Sequence, residues 1–168
     1  MKTLVIGLGN PILGDDGVGW QIAHELQQIK PIPSDVTIEC LGIGGISLME
    51  ALIDYDRAIL IDAIVTRQSP IGSINHVKLE DLPNPSLGHM SSAHDTSLLN
   101  ALHMGQSLGA HLPEDISVVT IESQNVYEFS ERLTPAVAAA IPEAIRIILD
   151  LLIESNPEKA PKVDNLKS

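Results

Sequence analysis

Basic side chains are scarce in this chain, and that scarcity closes several classes of function. Ten Lys and Arg stand against 22 Asp and Glu in 168 residues, a formal net charge of −12. Nucleic-acid binders need clustered Lys and Arg to neutralise phosphates, and anionic membrane surfaces attract basic segments. Neither partner is expected. Cysteine is almost absent too. The lone Cys40 excludes an internal disulfide. Aromatics make up only 2%, so Leu, Ile, Val and Ala must fill the core. No apolar run is long enough to span a bilayer. The best one, residues 145–153, is interrupted by Arg146 and Asp150. Lys2 leads into an alternating, strand-like start with no leader-like apolar segment, and the expected location is the cytoplasm.

What is present suits a folded domain. The hydrophobic fraction is 44%, and a chain of this length buries about 70% of its unfolded surface. Residues 1–154 read as one domain. Residues 155–168, rich in Pro, Lys, Asn and Asp, have too few apolar groups to offset the entropy of ordering and read as a disordered tail.

Strand and helix patterns alternate. Residues 2–7 predict a strand, and apolar Val18, Ile22, Leu26 and Ile29 predict a helix over 17–28. Strands are expected at 36–41, 57–63, 72–79 and 116–121, and helices at 47–53, 95–108 and 135–153. Pro142 is expected to kink the last helix or mark a boundary. The run at 57–63 is apolar enough for a central strand. This alternation predicts a three-layer α/β/α domain.

The first strand runs into Gly7-Leu-Gly-Asn-Pro-Ile-Leu-Gly-Asp-Asp-Gly-Val-Gly19. A dinucleotide fingerprint fails here, because its third glycine is replaced by Ile12 and two aspartates would repel a pyrophosphate. A P-loop fails for want of a Lys followed by Ser or Thr. The alternative is acid chemistry. Open α/β sheets place their ligands at the carboxyl ends of strands. Asp16 follows the first strand, Asp62 ends the apolar third strand, and His94 precedes a helix. Two carboxylates and an imidazole suit a divalent metal with mixed oxygen and nitrogen ligands, such as nickel or zinc.

Each residue also has a structural reading. Asp15, and less so Asp16, could cap the first helix, and Asp95 could cap the helix after His94. Asp62 could be a turn or cap residue, although burying a carboxylate without a partner is costly. His89 is a candidate for supporting the site or touching substrate. His24, His76, His103 and His111 read as surface residues. A triad from Ser91 or Ser92, His94 and Asp95 is disfavoured by their closeness in sequence and by the absence of a Gly-x-Ser-x-Gly elbow. Nothing near Cys40 marks an activated thiolate.

Four blocks carry a resemblance: the 7–19 segment, Tyr55-Asp-Arg-Ala-Ile-Leu-Ile-Asp-Ala63, Ser92-Ala-His-Asp95, and Val118-Val-Thr-Ile-Glu122. Together they resemble the hydrogenase maturation endopeptidases, over residues 2–152. The resemblance implies a mixed five-stranded sheet within the three-layer sandwich. It also implies a nickel-dependent peptidase that removes a carboxyl-terminal extension from a nickel-iron hydrogenase large-subunit precursor. Its metal ligands would map onto Asp16, Asp62 and His94, with the nickel supplied by the substrate. The first acid of that set is often Glu in the family and is Asp16 here. Where the family often has Asp-Gly-Gly-Thr, a region linked to substrate discrimination, this chain has Cys40-Leu-Gly-Ile43. A non-catalytic nickel-binding chaperone would use the same ligands. Bacterial peptidyl-tRNA hydrolases share Gly-Leu-Gly-Asn-Pro, but they place a basic residue and a histidine where this chain has Asp15-Asp16-Gly17, and their substrate calls for basic patches.

Overall fold

The computed structural model describes residues 1–82 and 97–154. Five strands form one sheet: β1 (Thr3–Leu8), β2 (Val36–Leu41), β3 (Arg57–Ile64), β4 (Ile74–Lys78) and β5 (Asp115–Glu122). Their spatial order is β2-β1-β3-β5-β4. The first four neighbours in that order run parallel, and β4 pairs with β5 antiparallel, so the sheet is mixed. Among the described residues four α-helices cover it: α1 (Val18–Gln28), α2 (Gly45–Ala51), α3 (Leu98–Ser107) and α4 (Pro135–Glu154).

Strand periodicity explains the layering. Successive side chains on a strand point to opposite faces. On β1 and β3, Leu4, Ile6, Leu8, Ala58 and Leu60 join one core with Leu48 of α2 and Leu98, Ala101 and Leu102 of α3. Val5, Ile59, Ile61 and Ala63 join the other with Val18, Ile22 and Leu26 of α1 and Ile141, Ala144 and Ile148 of α4. The two cores give the expected three-layer sandwich. Every residue of β3 is buried, as its unbroken apolar run predicts. Full burial of one such aliphatic side chain stabilises the fold by about 1.5–3 kcal/mol.

Element boundaries lie within three residues of the sequence reading, and β2 matches it at both ends. The start of α3 is instructive. Ser97, not Asp95, occupies the cap position, and its side chain accepts a bond from Asn100 N at 3.4 Å. A serine there satisfies one of the amide donors that a helix start leaves open. Pro142 marks no boundary, since α4 runs continuously through it.

Candidate functional site

The carboxyl edge of the sheet is shaped by backbone crowding. Gly9 has φ +133°, and a Cβ there would lie 1.9 Å from Asp16 O. At Gly19 a Cβ would meet Ile61 O at 2.3 Å and Leu8 O at 2.4 Å. Only glycine lets the first turn of α1 sit this close on the ends of β1 and β3. The glycines of the 7–19 segment therefore serve packing rather than phosphate binding. A turn of 3-10 helix, Gly14–Gly17, carries the two aspartates into this crevice and packs against β3.

The adjacent aspartates have different fates. Asp15 is fully buried and makes no side-chain cap at either helix start. Its Oδ2 instead accepts from Gln124 N and Asn125 N, both at 3.2 Å, and from Thr134 Oγ1 at 3.1 Å. Its Oδ1 accepts from Thr134 N at 2.7 Å. Asp15 thus clamps the segment between β5 and α4, over a hundred residues away in sequence. The cap expectation for it is corrected, because distant amide and hydroxyl donors claim both oxygens. Asp16 is half-buried. Its Oδ2 accepts from Asn10 N at 2.9 Å, which orients the carboxylate across the turn. It caps no helix either.

Asp62 lies near the carboxyl end of β3, paired in register with Thr120 of β5, and is fully buried. By alternation it shares the face of Ala58 and Leu60, the face covered by α2 and α3. It is no turn or cap residue, since β3 continues to Ile64. Asp16 and Asp62 are therefore both placed at the carboxyl edge, on elements that pack together. His94 lies outside the described residues, as do His89, Ser91, Ser92 and Asp95. Among the described residues, no group of three His, Cys, Asp or Glu is arranged to hold a metal.

Glu122 is the acid that sequence reasoning did not single out by role. It ends β5, is buried, and accepts from Thr66 N and Arg67 N, both at 2.9 Å, and from Thr66 Oγ1 at 2.7 Å. It fastens the turn after β3, where Arg67 has φ 60°. Its position at the end of a buried strand was the available signal. Cys40 donates to Trp20 O at 3.5 Å, and burial pushes its thiol above the ordinary value. A thiol in that state is a poor nucleophile at neutral pH.

The remaining histidines behave as surface residues. His24 is exposed and stacks on Trp20 with ring centroids 5.2 Å apart. His76 and His103 are exposed, and His111 pairs with Asp56 at 3.1 Å. Among the clefts of the described residues, two differ in position relative to the sheet edges. One of about 290 Å³ lies at the amino end of β5, beside Lys78, His103 and Asp115. The other, about 450 Å³, borders the turn that carries Asp16 and is lined by Pro11, Ile12, Trp20 and Leu133 among others.

Comparison with known proteins bears on this edge. A family model described as hydrogenase maturation protease matches residues 20–151. The hydrogenase 2 maturation protease of Escherichia coli K12 is 30% identical over 162 residues, covering 96% of this chain and 97% of that protein. Among solved structures, the hydrogenase maturating endopeptidase HybD from E. coli superposes with a TM-score of 0.73 at 27% identity, covering 93% of this chain and 94% of that one. A hydrogenase 2 maturation peptidase from a Thaumarchaeota archaeon gives 0.67 at 26% identity, over 90% and 98% of the two chains.

Proposed function

The chain belongs to the hydrogenase maturation protease family, and from that membership we propose that this peptidase removes the carboxyl-terminal extension of a nickel-iron hydrogenase large-subunit precursor, recognising nickel already held by that substrate. Asp16, Asp62 and His94 are the proposed ligands. The observation that carries the reading is the convergence of two acids at the carboxyl edge. Asp62 is a fully buried carboxylate on a central strand, and the turn that carries Asp16 packs against that strand, while Asp15 and Glu122 hold the neighbouring backbone segments in place.

The donor set fits the metal. Two carboxylates and one imidazole balance a dication with hard and borderline ligands. A bound divalent metal supplies Lewis acidity that polarises a carbonyl and lowers the pKa of a water. The chain supplies placement. The amide of Asn10 holds Asp16 in the mouth of the turn, Asp62 is fixed by the pairing of β3 with β5, and the Asp15 clamp holds the opposing wall. A precursor without nickel would offer these acids nothing to bind, which makes cleavage a check on metal loading. The reading places the enzyme in the cytoplasm, where a newly made large subunit is met. Among the described residues no helix is long and apolar enough to cross a membrane.

The test is incubation of the purified protein with nickel-loaded and nickel-free large-subunit precursor, followed by mass spectrometry. Loss of a carboxyl-terminal peptide from the loaded form alone is expected. Equal cleavage of both forms would overturn the metal-recognition role.

A further inference from the structure

Aromatic residues are so few that their positions are informative. The chain has one Trp, two Tyr and one Phe. Tyr55 packs against the core. The other three lie around the Asp16 turn. Tyr127 is 91% and Phe129 85% exposed, on the segment between β5 and α4, and Trp20 lines the groove of about 450 Å³. That segment forms one wall of the groove through Glu131 and Leu133, while Pro11 and Ile12 form the other. Ile12 is itself 46% exposed.

Two nearly bare aromatic rings two residues apart are costly to leave in water, and rigid aromatics presented beside a groove are the usual anchors of protein recognition. The presentation is fixed. Ser130 N donates to Ile12 O at 3.0 Å, Gly14 N to Ser130 O at 2.7 Å, and Asp15 grips Gln124, Asn125 and Thr134 at the segment's two ends. A preordered surface loses less entropy when a partner binds. The patch also adjoins the turn that carries Asp16, since Ser130 bonds Ile12 and Gly14 at its start and Gly17 at its end lines the groove. Its charge is acidic on balance, with Glu25, Glu128 and Glu131 set against Arg132.

Resting on the function proposed above, we infer that Tyr127, Phe129 and the groove beside Trp20 form the docking surface for the large-subunit precursor. They grip an apolar polypeptide segment flanked by basic residues while the scissile peptide lies at Asp16 and Asp62. Binding energy is thus gathered at a surface remote from the bond that breaks, and Tyr127 and Phe129 act as positioning residues.

The experiment is steady-state cleavage of nickel-loaded precursor by wild type, by the double variant Tyr127→Ser with Phe129→Ser, and by the aromatic-preserving pair Tyr127→Phe with Phe129→Tyr. The serine pair should raise KM roughly tenfold or more while leaving kcat within about twofold, since uniform binding is what is removed. Its melting temperature should match wild type, because both rings are solvated before substitution. The aromatic-preserving pair should behave as wild type. Asp16→Asn should show the opposite split, with cleavage lost and precursor still captured. An unchanged KM in the serine pair, with wild type cleaving normally, would overturn the docking surface and leave the protease reading standing. A sedimentation shift from dimer to monomer in the serine pair, with KM unchanged, would reassign the patch to a second copy of this chain. Failure of wild type both to capture and to cleave the loaded precursor would overturn the function and the docking surface together.

Discussion

Carboxylates crowd both edges of the sheet, but the amino edge and the carboxyl edge answer them with different chemistry. At the amino edge the answer at the start of β5 is cationic. Asp115 is bonded to Lys78 and lies 3.2 Å from Arg57 Nε, while Asp56 accepts from Lys2 N at 2.6 Å and lies 3.1 Å from His111 Nε2. Arg57, itself buried, also donates to Leu151 O at 2.8 Å and ties β3 to the end of α4. At the carboxyl edge Asp15 and Glu122 are answered by amides and hydroxyls. Ion pairs between exposed groups contribute little, whereas buried charge-assisted hydrogen bonds are stronger and directional. The amino edge is thus a fastening. The carboxyl edge is a frame in which Asp15 and Glu122 hold backbone segments in place around the positions of Asp16 and Asp62.

The sharpest way to break this contrast is to treat the four acids as equivalent. Asp16→Asn, Asp62→Asn and His94→Ala should each lower cleavage of loaded precursor by more than roughly 100-fold, since even supporting groups around a metal ligand cost about 10–100-fold. Thermal unfolding should show the fold retained. Near-normal cleavage by any of the three would remove that residue from the ligand set.

Asp15→Ala should do the reverse. It takes the acceptor from the amides of Gln124, Asn125 and Thr134, whose bonds are partly buried. Water can reach part of that site, so the expected loss is that of hydrogen bonding to a charged group, about 1.5–3 kcal/mol. For a domain of this size that lowers the melting temperature by about 3–12 °C. If stability is untouched while cleavage vanishes, Asp15 belongs with the ligands. Glu122→Gln should be smaller, about 1–2 kcal/mol by urea unfolding, because the amide oxygen still accepts from the turn after β3.

The same contrast explains what the sequence made legible. The strand-helix alternation, the buried third strand and the edge on which chemistry falls follow from periodicity and local turn signals, which act over a few residues. The role of Asp15 does not, because its donors are 109 to 119 residues away. From the sequence it reads as a helix cap, and only the packing of the β5–α4 segment reveals the clamp. Glu122 escaped notice for the same reason. The α3 cap fell on Ser97 instead of Asp95 because two polar residues compete within three positions, and local preference alone does not rank them. The exposure of Tyr127 and Phe129 was likewise invisible, since an aromatic in a loop sequence is as readily buried as bare. His94, the third proposed ligand, rests on its motif, because it lies outside the described residues.

The smallest effect is expected at the amino edge, where Asp115→Asn tests whether the fastening is electrostatic. Burial by itself would lift the Asp115 carboxyl, but the hydrogen bond and charge of Lys78, followed by the charge of Arg57, outweigh it and hold the group below its ordinary value. A carboxylate whose folded pKa is depressed adds stability above its unfolded pKa, and that stability is lost as pH falls through the folded value. The side chain is 43% exposed, so solvent screens most of the gain and about 1 kcal/mol or less is expected at neutral pH. Wild type should exceed Asp115→Asn by that margin at pH 7 in low salt. The gap should shrink with added salt and close as acid protonates Asp115. Cleavage of loaded precursor should be unchanged at neutral pH, because this edge lies across the sheet from Asp16 and Asp62. A gap that persists unaltered into acid would mean that Asp115 acts through packing around Arg57 rather than through charge, and the contrast between a cationic edge and an amide-lined edge would then fail at its simplest point.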